Sequence, residues 1–521
     1  MSGATTFRMK SYIQPFERVL AMRELNALVG GNVSPVAGSE DIWVAPATYA
    51  NAARQRLAYW EAIGGTLTDQ VRREATALVA RNGMSLAEAP SLSQERIERK
   101  IPRSRCLRYG PHGIHEYRGK FFPQLVKALI NVADVHDGVV LDPMCGSGTT
   151  PVEAICAGNR AVGLDMNPLS VFVSRVKCHS LRLSSVEIVE GYEALQFRIT
   201  KEDGRLSAAK RSAADQAYLA DWFSADVLNE LDSISGAIEQ LSNRAVSELF
   251  KVSLSNIIRR VSYQKEEDLR VRREPKQVSA PEVRAIFLEE ALRSAKMVAA
   301  DAARGITGEI GQAEIFNGDA RSFVTDEIVG EKAVDLVITS PPYATALPYL
   351  DTDRLSLSYL GLLTRPEHRK RDVDMIGNRE ITDRLRRQQW ERYLEEGRHL
   401  PQQVRALIDK IECENANGAV GFRRRNLGAL LATYFFDMRS VLLEIQRALK
   451  PGSQAFLVVG NNRTKTPAGE VEIRTSELLL TIAASLGFAD CERIEMEMPH
   501  SRDIFRENRT PSEHILSMRR Q

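Results

Sequence analysis

The sequence predicts an α/β fold: an open, mostly parallel sheet with a helical N-terminal module before it and two largely helical insertions within it. Two stretches support this prediction. Residues 139–150, V-V-L-D-P-M-C-G-S-G-T-T, are typical of a strand, a glycine-bearing turn and the start of a helix. Residues 337–343, V-I-T-S-P-P-Y, end a second apolar strand in a loop with two prolines. Ligands of such sheets bind beyond the carboxyl ends of the strands, so we expect both loops at one functional edge.

Composition excludes several classes of protein. The 521 residues are 43% hydrophobic and 26% charged, which is typical of a globular chain with a large core. The apolar stretches are too short to span a membrane, and the first residues lack the apolar core of a signal peptide, so we expect a cytoplasmic protein. The six cysteines contain no C-x-x-C pair, which indicates free thiols and no metal site.

The glycine turn has the properties of a cofactor loop. Gly146 and Gly148 can adopt backbone angles forbidden to other residues, and a helix that begins near Thr149 offers unpaired N–H groups. No lysine follows the glycines, so the loop is not a P-loop, but taken alone it suits nicotinamide and flavin cofactors equally well. The next strand ends in Asp165, roughly 20 residues after Asp142, where this architecture places a carboxylate that accepts hydrogen bonds from ribose hydroxyls. A cap for the following helix is the alternative role, and the two are compatible.

Three motifs together resemble a known family. D-P-M-C-G-S-G-T-T, G-L-D-M-N-P and T-S-P-P-Y resemble the motifs of the S-adenosylmethionine-dependent DNA amino-methyltransferases, which methylate cytosine N4 or adenine N6. The S-P-P-Y form is most similar to the cytosine-N4 branch, because the adenine enzymes more often have Asp or Asn in place of the serine. The resemblance covers residues 109–520 and implies a Rossmann-like class I methyltransferase sheet that binds S-adenosylmethionine. The cofactor-binding residues that we expect are Tyr117, Lys120, Phe121, Asp142, Pro143, Cys145, Gly146, Ser147, Gly148, Thr149, Asp165, Met166, Asp319 and Ala320.

Two parts of this expected cofactor site depend on the resemblance. It implies that Asp319, at the end of a third strand, lies beside the cofactor adenine; an N-G-D turn is the alternative interpretation. It also implies that Tyr117, Lys120 and Phe121 close over the methionine end of the cofactor. A turn before an amphipathic helix at residues 123–130 explains the same pattern without a ligand.

The loop at residues 340–343 has the composition that amine methylation requires. The exocyclic nitrogen of cytosine is a poor nucleophile because its lone pair is delocalised into the ring, and acceptors placed on its two hydrogens can turn that lone pair towards a methyl donor. We assign one acceptor to the Ser340 hydroxyl and the other to the Pro341 carbonyl, with Pro342 holding the backbone extended. Tyr343 offers a flat face on which a base flipped out of the duplex can stack. These four residues are the predicted catalytic set.

The sequence divides into six parts. They are, in chain order, a helical N-terminal module (1–108), the cofactor half of the core (109–180), a helical insertion (181–310), the catalytic-loop part of the core (311–363), a charged insertion (364–426) and the C-terminal part of the core (427–521). In the first part we expect helices at 12–28, 48–63 and 67–81. In the core we expect the third and fourth strands beside the first, and an antiparallel pair of strands at the end.

The formal net charge of +2 is too small to indicate a nucleic-acid binder, so any contact with DNA must come from local clusters of basic residues. Both insertions contain such clusters, although a single run of charges is also typical of a solvated face. Trp222 and Phe223 suit the core of the first insertion better than a base-stacking surface. The DNA-binding residues that we predict are Arg259, Arg260, Arg272, Arg273, Arg423 and Arg424.

These features together predict a site-specific DNA methyltransferase that acts on cytosine N4, in restriction-modification or in the marking of host DNA. Double-stranded DNA is the expected partner and a cognate restriction nuclease a further one, whereas neither a metal nor a membrane is expected. Three alternatives stay open: an adenine-N6 DNA methyltransferase, an RNA amine methyltransferase and a non-catalytic nucleic-acid-binding subunit. The intact acidic residues and the S-P-P-Y loop argue against the last.

Overall fold

The structure is a computed structural model, and it describes residues 3–115, 121–201, 211–265, 272–305, 309–344, 349–378, 381–416, 420–497 and 509–521. The strands are β1 (Ala4–Met9), β2 (Ser34–Pro35), β3 (Ile42–Pro46), β4 (Trp60–Ile63), β5 (Thr66–Leu67), β6 (Val139–Asp142), β7 (Arg160–Asp165), β8 (Ala313–Asn317), β9 (Val334–Thr339), β10 (Leu449–Thr466), β11 (Gly469–Ile473), β12 (Phe488–Glu497) and β13 (Arg509–Arg520).

The α-helices alternate with these strands and fill both insertions. They are α1 (Pro15–Val29), α2 (Ala50–Arg56), α3 (Asp69–Arg81), α4 (Gln94–Glu98), α5 (Pro123–Val132), α6 (Thr149–Cys156), α7 (Pro168–Ser180), α8 (Ser185–Lys201), α9 (Ala213–Ala220), α10 (Ala225–Glu239), α11 (Arg244–Val261), α12 (Ala280–Arg304), α13 (Tyr349–Thr352), α14 (Arg354–Tyr359), α15 (Arg365–Asp374), α16 (Asp383–Glu396), α17 (Gln402–Ala416), α18 (Phe422–Arg425), α19 (Leu427–Ala448) and α20 (Thr475–Ser485).

The central sheet follows the strand order β12-β13-β10-β9-β6-β7-β8 in the described chain, with β11 paired to β10. Strands β10, β9, β6, β7 and β8 are parallel to one another, whereas β13 is antiparallel to both β10 and β12. The predicted parallel sheet and its closing antiparallel pair are therefore confirmed. One expectation is wrong: the third core strand, β8, lies beyond β7, so of the two later strands β9 alone neighbours β6.

Both faces of the central strands are buried, because helices cover a parallel sheet on each side. Val140 and Leu336 pack on one face in a cluster that includes side chains of α5 and α6. Leu141 and Val337 pack on the other face with side chains of α19 and α20. This alternation follows from the two-residue period of a strand. The loops at the carboxyl ends of the strands are thus held by rigid elements between two helical layers.

Residues 3–108 contain a second sheet that the sequence did not predict. Its five short antiparallel strands have the order β2-β3-β1-β4-β5. The prediction of a helical module is therefore wrong in part: α1 and α3 were expected, but residues 60–63, expected as helix, form β4. These strands are too short for their periodicity to be recognised. Long-range packing stabilises them, including an edge-to-face contact between the rings of Phe7 and Trp60 with centroids 6.0 Å apart.

A buried ionic network joins the N-terminal module to the core helix α6. Arg73 of α3 lies 3.2 Å from the carboxylate of Glu153 on α6, and His112 Nε2 lies 2.7 Å from the same carboxylate. Although burial raises it, the charge of Arg73 and the hydrogen bond from His112 lower the pKa of Glu153 to about 2. Burial lowers the pKa of His112 to about 4, so a neutral imidazole donates to an ionised carboxylate. The module thereby fixes the helix that follows the glycine turn.

The first insertion is helical, as expected, and packs α8 and α10–α12 into one apolar cluster with α3 and α7. Phe223 is a core residue with 2% of its surface exposed, and Trp222 packs at the edge of the same cluster. The two ends of the charged run that follows α11 are paired, because Gln264 and Arg273 form an antiparallel β-bridge. Residues 266–271 between these ends lie outside the described part of the chain.

The second insertion is also helical, and its first helix lies against the sheet edge. Arg371 of α15 donates hydrogen bonds to the Met166 carbonyl (2.9 Å) and to Asn317 Oδ1 (2.7 Å). Just before α14, Asp353 accepts a hydrogen bond of 2.8 Å from the side chain of Asn167. These contacts bring the chain that follows the S-P-P-Y loop back over the ends of β7 and β8.

Candidate active site

Four loops meet at the carboxyl edge of the central sheet. The strands β9, β6, β7 and β8 are consecutive neighbours. Because adjacent strands lie about 4.8 Å apart, the loops that follow them form a row about 14 Å long. Along the row come the S-P-P-Y loop, the glycine turn, Asp165 and Asp319. An extended ligand along this edge can contact all four loops.

The glycine turn contains a buried carboxyl, that of Asp142, and a buried hydroxyl, that of Ser147. Asp142 Oδ1 accepts a hydrogen bond of 3.1 Å from the Met144 N–H. Burial raises the pKa of Asp142 to about 7, although hydrogen bonding by the Thr339 and Thr150 hydroxyls lowers it. The Ser147 hydroxyl is buried without a partner in the described chain. Buried polar groups are normally hydrogen-bonded, so the Ser147 hydroxyl marks a place for a ligand or an ordered water.

The two glycines of the turn serve different purposes. Gly146 and Gly148 both have positive φ, at 48° and 83°, which only glycine adopts readily. A Cβ at Gly148 would lie 2.3 Å from Ser174 Oγ of α7, so this glycine also permits close helix packing, a reason that the sequence did not indicate. Cys145 beside them is buried, and burial raises the pKa of its thiol. Its Sγ lies 3.1 Å from where a Cβ at Gly163 would be, in agreement with a steric role for this thiol.

Asp165 ties the glycine turn to the next strand. Its Oδ2 accepts a hydrogen bond from the Gly146 N–H (2.9 Å) and its Oδ1 one from the Asn167 N–H (2.8 Å). Burial raises the pKa of Asp165 to about 6. The N-cap of α7 is Asn167, whose side chain accepts from the Leu169 N–H, so the cap role considered for Asp165 belongs to its neighbour. Each carboxylate oxygen keeps a further lone pair for a ligand.

Asp319 is held by a cation that the sequence analysis missed. The Arg321 guanidinium donates to both Asp319 oxygens, at 2.9 Å from Nε and 2.6 Å from Nη2, and lies 3.2 Å from Asp437 on α19. The side chain of Asp319 is 29% exposed. Arg321 follows Asp319 closely and offered a local signal, whereas Asp437 is more than a hundred residues away and offered none. The neighbouring Ala320 is buried.

Three side-chain hydrogen bonds fix the S-P-P-Y loop to three different elements. Ser340 Oγ donates to the Val458 carbonyl on β10 (3.0 Å). The Tyr434 hydroxyl on α19 donates to the Pro342 carbonyl (3.0 Å). The Tyr343 hydroxyl donates to Glu513 Oε1 on β13 (2.5 Å).

The Ser340 bond has a chemical consequence. A hydroxyl has one proton and two lone pairs, so a serine that donates its proton to a carbonyl keeps its lone pairs as acceptors. The same hydroxyl is fixed in direction by that bond. It can therefore accept a hydrogen bond from an amine without first reorienting.

Known proteins resemble this chain over much of its length. Residues 115–253 match the family model UPF0020, the RMKL-like methyltransferase domain. The Type II methyltransferase M.MvaI of Kocuria varians is 24% identical over 383 residues, which cover 70% of this chain and 80% of that protein. The Type II methyltransferase M.BsoBI of Geobacillus stearothermophilus is 23% identical over 72% of this chain and 78% of that protein. The chain is therefore similar to DNA methyltransferases over most of its length.

Solved structures resemble this chain only distantly. A DNA modification methylase from Thermus thermophilus, complexed with S-adenosyl-L-methionine, is 17% identical over 39% of this chain and 51% of its own, with a TM-score of 0.19. TrmN from Thermus thermophilus is 11% identical over all of both chains, with a TM-score of 0.31. Similarities this low decide nothing about the site.

Two of the expected cofactor residues of the methyltransferase, Tyr117 and Lys120, lie outside the described residues. Phe121 is described and packs, half-buried, beside the apolar cluster under α5. Pro143 and Thr149 are buried within the glycine turn and the first turn of α6. Met166 contributes its carbonyl to the hydrogen bond from α15 described above.

The arginines expected to contact DNA lie in both insertions of the methyltransferase. Arg260, Arg272 and Arg273 are exposed, and the Arg273 guanidinium lies 5.3 Å from the centroid of the Tyr263 ring. Arg259 is half-buried and donates to the Lys265 carbonyl (3.1 Å). Arg423 and Arg424 are exposed on the short helix α18.

Two other kinds of site are absent from the described part of the chain. The helices that the structure describes are all too short or too polar to cross a membrane. Among the same residues, no three His, Cys, Asp or Glu side chains are grouped as they are around a metal ion.

Proposed function

We propose that this methyltransferase transfers a methyl group from S-adenosylmethionine to the N4 amine of a cytosine flipped out of a specific DNA sequence. The observation that carries the proposal is the hydrogen bond from Ser340 to the Val458 carbonyl, which leaves the serine oxygen as an acceptor aimed from the sheet edge. The cytosine amine has two N–H donors and needs acceptors to become nucleophilic.

The residues at the edge fit the cofactor. Ser147 Oγ is buried without a partner in the described chain, and the Asp142 carboxyl is buried in the same turn, so a ligand with ammonium and hydroxyl groups can bind both. Asp165 offers its remaining lone pairs to the ribose hydroxyls, and Asp319, held in one orientation by Arg321, offers an acceptor to the adenine amine. When bound, the cofactor supplies an electrophilic methyl group on a positively charged sulfur.

The S-P-P-Y loop acts on the target amine. Ser340 Oγ accepts a hydrogen bond from one N–H of the amine, and the Pro341 carbonyl accepts a hydrogen bond from the other. These two bonds draw the nitrogen lone pair out of conjugation with the ring. The loop is already fixed by its contacts with α19 and β13, so the acceptors do not have to be ordered when the base arrives.

Tyr343 receives the flipped base. Removing a base from the stack costs a few kcal/mol, and an aromatic ring that stacks on it returns about 1 to 3 kcal/mol. The Tyr343 ring is half-buried and lies beside Ser340 and the prolines, where the base must enter. Stacking there presents the amine to the two acceptors.

DNA outside the target base is proposed to contact the exposed arginines of both insertions, at Arg260, Arg272 and Arg273 in the first and at Arg423 and Arg424 in the second. Because the relatives are Type II methyltransferases, we propose that the chain protects a recognition sequence against a cognate restriction nuclease in the cytoplasm.

The decisive experiment identifies the methylated nucleoside. The wild type and Ser340→Ala are expressed in a host without DNA methyltransferases, and the nucleosides of its DNA and RNA are separated by mass spectrometry. We expect N4-methylcytosine in DNA from the wild type and at least a hundredfold less from the variant, as for loss of one oriented oxyanion-hole donor. N6-methyladenine in DNA would identify adenine as the target in place of cytosine. Methylated RNA alone would support the RNA alternative. No methylated nucleoside at all would refute the proposal.

A further inference from the structure

The Tyr343 ring rests against the backbone of β10. A Cβ built on Gly460 would lie 2.9 Å from Tyr343 Cζ and 3.1 Å from Cε2, closer than side chains tolerate. Gly460 lies within β10 and its φ is not positive, so backbone strain does not explain the glycine. The glycine makes room for the ring, and β10 forms a wall behind it.

The same strand pair supplies an anchor for the ring. In the antiparallel pairing of β10 with β13, Gly460 lies opposite Glu513. Glu513 Oε1 accepts the Tyr343 hydroxyl at 2.5 Å, a length typical of a phenol bound to an ionised carboxylate. The Glu513 side chain thus binds the phenol, while its backbone pairs with β10 and β12.

We infer that Glu513 is a positioning residue, which holds the Tyr343 ring against Gly460 so that the target base meets a fixed stacking surface. The inference builds on the proposed function, because it assigns Glu513 to the step in which the flipped base is received. A ring that is already ordered loses little freedom when the base stacks, and a ring without its anchor must be ordered by the base itself.

A double-mutant cycle tests this role. The variants are Glu513→Ala, Tyr343→Phe and their combination, measured as kcat/KM with a duplex that contains the recognition site. We expect each single variant to lose roughly three- to tenfold, the value of one immobilised side chain, and the combination to lose no more than either. Glu513→Gln keeps an acceptor for the phenol and should retain most of the activity. Glu495→Ala, which removes an exposed glutamate from the neighbouring β12, is the matched control and should behave as wild type.

A second substrate separates positioning from a general structural effect. In a duplex with an abasic site opposite the target cytosine, flipping is easier, and the loss in Glu513→Ala should shrink. Provided that the wild type methylates DNA, any of three results would overturn the role of Glu513. The loss in Glu513→Ala could be equal on both duplexes, the losses could multiply in the double variant, or Glu513→Ala could be as active as Glu495→Ala. A wild type that methylates no DNA would instead remove the proposed function.

Discussion

Binding of S-adenosylmethionine should release protons and become tighter as the pH rises. Burial raises the pKa of Asp142 to about 7 and that of Asp165 to about 6, so in the free protein both carboxyls are protonated below these values. The cofactor carries a sulfonium and an ammonium group, and positive charge beside a carboxyl favours its ionised form. Binding therefore expels the protons. Affinity rises with pH until both carboxyls are already ionised in the free protein, and then levels off.

The size of the effect follows from the two pKa values. If both carboxyls are ionised in the complex, affinity rises about a hundredfold between about pH 5.5 and about pH 7.5, and binding at about pH 6.5 releases about one proton. In Asp142→Asn only Asp165 still titrates, and the rise over the same range falls to about fourfold. The amide of the variant is close in shape to the carboxyl, so the change isolates the titration.

Isothermal titration calorimetry measures both quantities. Repeating each titration in two buffers of different ionisation enthalpy gives the number of protons released. S-adenosylhomocysteine, which lacks the sulfonium charge, serves as the control ligand and should show a weaker dependence on pH. An affinity that does not change over this range, or a dependence that is equal in the wild type and in Asp142→Asn, would refute the assignment of these carboxyls to the cofactor.

Three other predictions concern catalysis, DNA and stability. Ser340→Ala should bind cofactor and DNA as the wild type does but react on the order of a hundredfold more slowly, and unlike Tyr343→Ala it should not be rescued by a mispaired target base in single-turnover assays. Replacing Arg260, Arg272 and Arg273 by glutamine should reduce the slope of log affinity for DNA against log salt concentration by about 0.9 per lost phosphate contact. The same replacement at Arg423 and Arg424 is the parallel test. Unchanged slopes in both variants would place the phosphate contacts elsewhere. Burial lowers the pKa of His112 to about 4, so its contribution to stability is complete above about pH 6.5 and is lost as the pH falls towards 4. Between about pH 6.5 and about pH 5, the unfolding free energy of His112→Gln in urea titrations should therefore fall by about 2 kcal/mol less than that of the wild type. An equal fall in both proteins would contradict the assignment.

The sequence predicted those parts of the fold that short-range patterns determine. An apolar run, a glycine turn and a helix start within a dozen residues identify β6 and α6, and the strand before S-P-P-Y identifies β9. The strands of the N-terminal module were missed because each is short and is stabilised by residues distant in the chain. The position of β8 was misjudged because strand order depends on the path of a long connection, which periodicity does not report.

The candidate site shows the same division. The motifs indicated the residues to which we assign the chemistry, whereas no motif indicated the groups that hold them. Val458, Tyr434 and Glu513, which fix the S-P-P-Y loop, lie roughly a hundred residues or more from it in the sequence. No local pattern connects such positions, because they are brought together by the sheet and by α19.

The place of β13 in the sheet has a consequence for biosynthesis. Of all the described strands, β13 comes last in the sequence, yet it lies between β10 and β12 rather than at an edge. A ribosome-bound chain that lacks residues 509–520 therefore exposes one open side of β10 and one of β12, and its Tyr343 has no Glu513 to bind. The surface that we propose receives the base is complete only when translation has passed this strand. Nascent chains should thus be unable to engage a target base until residues 509–520 have been synthesised.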